Sequence, residues 1–493
     1  MFSRISIGAV VAQLAMGVAA SPCKTVALNA TVAAWQAKYP GATVQSADVV
    51  VVGGGSAGSN AAINIVDAGK SVLLIEKQAQ LGGMVNSYTD PDTGAVYDFG
   101  VATFTNLTGT EEYFERLGIS TKSPTFATTT PYYADFTTGE TIDYLAPDIV
   151  SEFAALATYH DVAAQYQDLY FPSYANWPAP EDIPEDLLMP FGDFAAKYNL
   201  NDTMLLLWAG IGAGLADMLS LPTLYFFQTF GAPTAAVFLG TDVQYVPASG
   251  RNQDIYDAVA SILGDAVMVN SMVTESVRLA GNQGVALLVQ NQVSGDYTIV
   301  TAQRLVMAIE PTASNLAPFA PDTTESAVFD KGTWSVVNVG LVSHPSLPPN
   351  ALIYNLPASA SNGNAFAYPE PPFVDYFEYV GGDLYQAIVV GWDNLTVAEA
   401  QALTQDALEK LAEAGTIPAT NGVPLTFEAW SDHGPMDMRS TAEDLKAGFI
   451  QDQYALQGYR STYWTGAAFS CQLSTYLWAY NKEYLVPLVV SSF

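Results

Sequence analysis

The chain has 493 residues, half of them hydrophobic and 13% charged, so it has ample material for more than one core and is not disordered overall. Its 49 acids against 17 bases give a net charge of -32, which excludes nucleic acid and anionic membranes as electrostatic partners.

Residues 1–20 read as a secretory signal. Arg4 precedes an apolar run from Ile5 to Ala20, and Val18-Ala19-Ala20 offers small residues before Ser21. Four Asn-x-Thr acceptors, at Asn29, Asn106, Asn201 and Asn394, agree with a secreted or secretory-pathway protein. No retention tetrapeptide ends the chain. Residues 21–46 are expected to be a loosely attached lead-in. Cys23 and Cys471 are the only cysteines, open to a disulfide in an oxidising compartment or to Cys471 as a small core residue. Two Cys and three scattered His supply no metal-ligand spacing.

The most informative segment follows. Asp48-Val49-Val50-Val51-Val52 reads as a buried strand and breaks into Gly53-Gly54-Gly55-Ser56-Ala57-Gly58. An Ala-rich helical stretch then leads to a second apolar run, Val72-Leu73-Leu74-Ile75, ending on Glu76 and Lys77. This is the dinucleotide-binding strand–turn–helix–strand unit with G-x-G-x-x-G at Gly53, Gly55 and Gly58. Gly53 permits the turn, Gly55 lets a pyrophosphate approach the backbone, and Gly58 lets helix and strand pack closely. Ser56 and Ala57 begin the helix, whose N-terminal N–H groups face the phosphates. Glu76 is placed to take the hydroxyls of an adenosine ribose and would repel a 2′-phosphate. A Gly82-Gly83 doublet before Met84 lets a second backbone segment close over an extended FAD.

This order, with Asp98-Phe99-Gly100 beyond it, resembles the FAD-dependent amine oxidase-like flavoproteins. Within them it resembles most the fungal secretory oxidoreductases of the β-cyclopiazonate dehydrogenase type. The resemblance implies FAD as cofactor and a Rossmann-like α/β fold. That fold has a three-layer FAD-binding domain built from residues 47–115, 245–315 and 425–490. A sheet-plus-helix substrate domain is inserted at 116–244 and 316–424. Met84 stands where many relatives carry an arginine.

Further along, residues 147–170 have helical periodicity. Pro178, Pro180, Pro184 and Pro190 punctuate a loop. Met204 to Ala216 is apolar and reads as a buried helix and a wall of a greasy substrate pocket, too short to span a bilayer. After a helical stretch from Asn252, residues 266–273 resemble the family strand that brings a valine, here Val273, to the adenine. Residues 303–311 resemble the strand that re-enters the FAD domain. Strands are expected at 334–342 and 384–392, and an amphipathic helix at 396–414 with Glu399, Asp406 and Glu409 outward. The lysine that many relatives place after their A-I-x-P segment is missing from Trp334-Ser335-Val336-Val337; Lys331 is the nearest.

Near the end, Ser461 to Phe469 resembles the family's terminal strand–turn–helix, in which Gly466 and Ala467 would meet the ribityl chain and flavin. Tyr463 and Trp464 read either as stacking partners of the ring or as core. Arg460 reads as a phosphate or acidic-substrate ligand or as a partner for a carboxylate. No G-x-S-x-G appears, and the flavin carries the chemistry in such enzymes, so no triad is needed. His433, before Gly434-Pro435, is the side chain expected to handle a proton, with a structural role beside Asp432 as the other reading. His160 and His344 are expected to be structural. The partners implied are a small, largely apolar substrate and dioxygen as acceptor, with no nucleic acid and no membrane span.

Overall fold

A computed structural model describes residues 22–493, with side chains from residue 27 onward. The expected signal segment and the Cys23 side chain lie outside this range. Two large sheets organise the described residues. The first has the order 271–278, 285–291, 297–307, 43–52, 72–75, 267–268, with 462–464 added beside 297–307. Strands 43–52, 72–75, 267–268, 297–307 and 462–464 run parallel. Their register brings the C-terminal ends Val52, Ile75, Met268, Met307 and Trp464 to one edge, where ligands bind in open α/β sheets. Val49, Val50, Val51 and Leu74 have no exposed surface, as continuous apolar runs between two covered faces require. Strand 297–307 changes partner halfway. Its first part pairs antiparallel with 285–291, and Leu305–Met307 pairs with Thr462–Trp464.

The second sheet has the order 426–439, 333–343, 384–392, 373–381, 351–355, 130–134. Helix Val397–Glu413 covers its back, capped by a reciprocal Thr396–Glu399 box, with Glu399, Asp406 and Glu409 exposed. The front meets a helical segment from Ile149 to Phe238 through an apolar core continuous with that of the first sheet.

Several details depart from the sequence reading. Strand Thr426–Arg439 was expected in the third FAD-domain segment, but it pairs with Thr333–Ser343 and belongs to the second sheet. That domain's last stretch therefore joins its own sheet only at Thr462. The lead-in is a docked helix, Pro22–Lys38. Trp35 is buried against Ala286, Leu288 and Ile299, with its Nε1–H donated to Glu275 at 3.0 Å. The apolar 204–216 stretch is broken into helix Met204–Gly210 and a 3₁₀ turn, Gly212–Leu215, since three glycines interrupt it. The proline-rich loop carries short helical turns at Pro180–Asp182 and Glu185–Leu188. The expected 266–273 strand is two strands divided at Asn270, which has φ +49°. No helix among the described residues is long and apolar enough to cross a membrane.

One buried ion pair joins three elements. Arg278 donates Nη1–H to Glu325 Oε1 at 2.6 Å and Nη2–H to Oε2 at 2.8 Å, both side chains being 1% exposed. Arg460 adds Nη1–H to Glu325 at 2.9 Å, so it serves a carboxylate of the fold. Glu325→Gln leaves Arg278 buried without its counter-charge and is expected to destabilise the protein by about 3–5 kcal/mol. Equilibrium denaturation against the native chain checks this.

Candidate active site at the strand ends

The glycine turn has no spare volume. A Cβ on Gly58 would stand 1.8 Å from the Gly53 carbonyl oxygen, and one on Gly53 (φ +103°) would stand 2.4 Å from that of Ala308. Helix Ser56–Asp67 starts with no side-chain cap, so its first N–H groups are free toward the strand ends. Facing this N-terminus, Gly82 and Gly83 adopt φ +131° and +60°, and Gly82 N–H bonds Gly54 O at 3.0 Å. The nearest atom to a Cβ on Gly55 would be Gly83 Cα at 3.6 Å, so two bare backbones touch here, with only glycine along the edge where a slot for a dinucleotide would run. Met84 follows, half-buried, and Gln253 holds the segment by donating to Leu81 O at 2.7 Å.

Glu76 lies at the outer end of this slot. It is 6% exposed, and its carboxylate accepts Gly54 N–H at 2.6 Å and Gln78 N–H at 2.7 Å. Ser271 N–H bonds the Glu76 carbonyl, which brings buried Val273 alongside. Lys77 is exposed. A carboxylate, an uncapped helix start and a doubled glycine wall in this order fit a ribose, a pyrophosphate and the chain beyond it.

At the inner end, Gly466 has φ +107° and open space on its Cβ side. Gln228 donates to Ala467 O at 3.0 Å and also to Ser470 O, fixing this turn from helix Thr223–Thr229. Trp464 is core: 1% exposed, stacked on Phe469 and packed on Phe329. Tyr463 turns away and bonds Asn282. Lys331 lies 3.8 Å from Asp444, while Trp334 donates its indole N–H to Glu310 at 3.2 Å.

His433 occupies a β-bulge. Gly434 pairs with Val337 and Asp432 with the next residue, Asn338, so His433 is the extra residue and its ring is re-aimed. It lies against Gly100, whose Cβ would be 3.0 Å from its Nε2 and 2.6 Å from Met84 O. Asp432 bonds Gly434 N–H, leaving the imidazole Nε2 buried without a partner. Burial pushes its pKa down to about 4, so the ring is neutral at ordinary pH. His160 pairs with Asp161 at the surface, and His344 bonds Val423 O and Ser346 N–H.

Two acids that the sequence reading did not single out share this inner end. Glu310 comes three residues after the end of strand 297–307, just beyond Ala308, which walls Gly53, and Asp437 sits in a second bulge of strand Thr426–Arg439, with φ +54°. A lone acid after an apolar strand, and another between Met436 and Met438, were the available signals.

Residues 51–117 match the family model described as an NAD(P)-binding Rossmann-like domain. The chain is 32% identical over 466 residues to the FAD-dependent oxidoreductase oblC of Cochliobolus heterostrophus, covering 92% of this chain and 93% of that one. It is 31% identical over 447 residues to β-cyclopiazonate dehydrogenase of Aspergillus oryzae, covering 90% and 94%. In fold it is similar to a CLA-producing fatty acid isomerase from P. acnes, with TM-score 0.66, 18% identity, and 89% and 97% of the chains covered. Cyclohexylamine oxidase from Brevibacterium oxydans gives TM-score 0.58 at 18% identity over 91% and 99%.

The buried imidazole has a signature in stability. The unfolded chain binds a proton at His433 below roughly pH 6.5, the native chain only near pH 4. Its contribution is therefore complete above the unfolded value and is lost as pH falls through that window. His433→Asn is expected to lessen the drop in unfolding free energy between about pH 7 and 4.5, measured by urea titration of both proteins.

Proposed function

This chain belongs to the fungal FAD-dependent oxidoreductase family that includes β-cyclopiazonate dehydrogenase, and from that premise we propose that it oxidises a small, largely apolar secondary metabolite. FAD, when bound, supplies the acceptor: a hydride is taken at N5, and the electrons pass on to dioxygen or another acceptor. The residues that would hold it are Gly53, Gly55, Ser56, Ala57 and Gly58 at the pyrophosphate and Glu76 and Val273 at the adenosine. Gly82, Gly83 and Met84 form the facing wall, with Gly466 and Ala467 at the inner end. Trp464 supports that turn from the core.

The substrate class is supported by the family's secondary-metabolite relatives and by the apolar packing behind the His433 bulge. Trp208 stacks on Tyr368 with centroids 5.0 Å apart and packs on Phe373. The following turn reaches Val337, which a Cβ on Gly214 would approach to 3.9 Å and which pairs with Gly434. Trp208 has no exposed surface and Phe373 is 4% exposed, so these rings are an apolar core that backs the bulge. His433, neutral and with a free Nε2, hydrogen-bonds and orients the substrate; burial disfavours its accepting a whole proton. A second reading is supported by the same apolar packing and by the missing lysine in Trp334-Ser335-Val336-Val337: redox-neutral double-bond isomerisation of a fatty-acid-like substrate. Product mass separates them, since oxidation removes two hydrogens and isomerisation none.

The purified protein is expected to be yellow and to release FAD on denaturation, or to keep it attached if the link is covalent. Gly55→Trp, filling the slot opposite Gly83, is expected to abolish binding. A metabolite panel under anaerobic conditions should bleach the native flavin. A colourless preparation that FAD does not restore refutes the proposal.

We also propose export. Asn29, Asn201 and Asn394 are exposed and Asn106 is half-buried, which leaves room for glycans on folded protein. Mature protein is expected to begin near Ser21 and to shrink on glycosidase treatment; an intact Met1 with four bare acceptors overturns this.

A further inference from the structure

Oxidation of a hydroxyl- or amine-bearing carbon releases a proton as well as a hydride, and neutral, buried His433 is a poor place for it. The inner end of the slot holds another group. Glu310 lies between the cradle's first and last segments, because Ala308 walls Gly53 and Gly58 while the Ala468 N–H is directed at the Glu310 carboxylate. It is deep in the protein yet keeps accessible surface, as a side chain lining an internal cleft does. Its one side-chain partner is Trp334 Nε1–H at 3.2 Å. Asp437 lies in the bulge opposite this same Trp334, since Thr333 pairs with Arg439 and Ser335 with Met436; it is 9% exposed, with Oδ2 unpartnered. Arg439, 6% exposed, gives Nη1–H to the Asp437 carbonyl, not to its carboxylate, and its Nη2 is unpartnered.

We propose that Glu310 and Asp437 form a carboxyl dyad that receives the substrate's proton at the inner end of the FAD cleft. This rests on the oxidoreductase reading. In the step, the substrate O–H or N–H bond breaks and its proton goes to a Glu310 carboxylate oxygen. The adjacent C–H bond breaks with its electron pair leaving as hydride for FAD, and a C=O or C=N bond forms. Two electrons and two hydrogens leave the substrate, one as proton and one as hydride. Asp437 shares the proton, and the bulge aims it there as the other bulge aims His433.

Burial, and then the neighbouring Asp437, push Glu310 up to about 8, and burial pushes Asp437 up to about 7 against the opposing charge of Arg439. The other titratable groups around the pair are Cys471 beside Asp437, and Tyr225 and Asp217 beside Arg439. Both carboxyls are thus held where a proton can be taken or given near neutrality.

The test uses purified FAD-loaded native protein, Glu310→Gln and Asp437→Asn. The flavin midpoint potential is measured by dye equilibration between about pH 5 and 9, which needs no substrate. In the native protein the slope of potential against pH is expected to break where the dyad titrates. Glu310→Gln should keep FAD and lose that break. Asp437→Asn should move it to lower pH, because the like charge is gone. With any panel metabolite that bleaches the native flavin, Glu310→Gln should slow reduction roughly 10²–10⁴-fold. An unchanged break in both variants overturns the dyad, as does an unchanged bleaching rate. If Glu310→Gln fails to fold, the shift in Asp437→Asn decides alone. A native protein without FAD refutes the oxidoreductase reading instead.

Discussion

The contact on which the rest depends is a carbonyl oxygen lying where a side chain would otherwise begin. With the Gly53 oxygen 1.8 Å from a Cβ position at Gly58, helix and strand meet at backbone distance. That closeness directs the uncapped helix start at the strand ends and lets Gly82-Gly83 close the far side. Neither wall of the slot has side-chain atoms to retract. The backbone arrangement is thus set by packing alone, and no side chain need move to admit a ligand along it.

The second sheet supplies what the first lacks. A nucleotide cradle lined by glycine has no titratable groups at its inner end. Titratable groups are instead carried by Thr426–Arg439 of the second sheet and by Glu310, after strand 297–307. Helix Thr223–Thr229 fastens both sides. Gln228 holds the Gly466–Ser470 turn, and the Tyr225 hydroxyl is 2.8 Å from Ser440 Oγ at the end of the bulged strand.

The cofactor half was legible because its requirements act on the backbone and only glycine meets them, at Gly53, Gly58, Gly82 and Gly83. Strands 333–343 and 384–392 were legible as apolar runs. The reacting end was not. Where His433 and Asp437 sit depends on two extra residues in a strand whose partner lies about a hundred residues away, and local pattern carries no register. The same non-local pairing misassigned 426–439. The lead-in helix was hidden because Trp35 finds its cover more than two hundred residues on, at Ala286 and Ile299.

The bulges also bear on how such a protein changes over generations. Each is one residue beyond what the ladder needs. Losing the single codon for His433 would bring Asp432 and Gly434 into consecutive register with Asn338 and Val337, leaving the sheet regular and the nucleotide cradle untouched. Loss of that codon and its reverse insertion are therefore both changes that the fold can absorb.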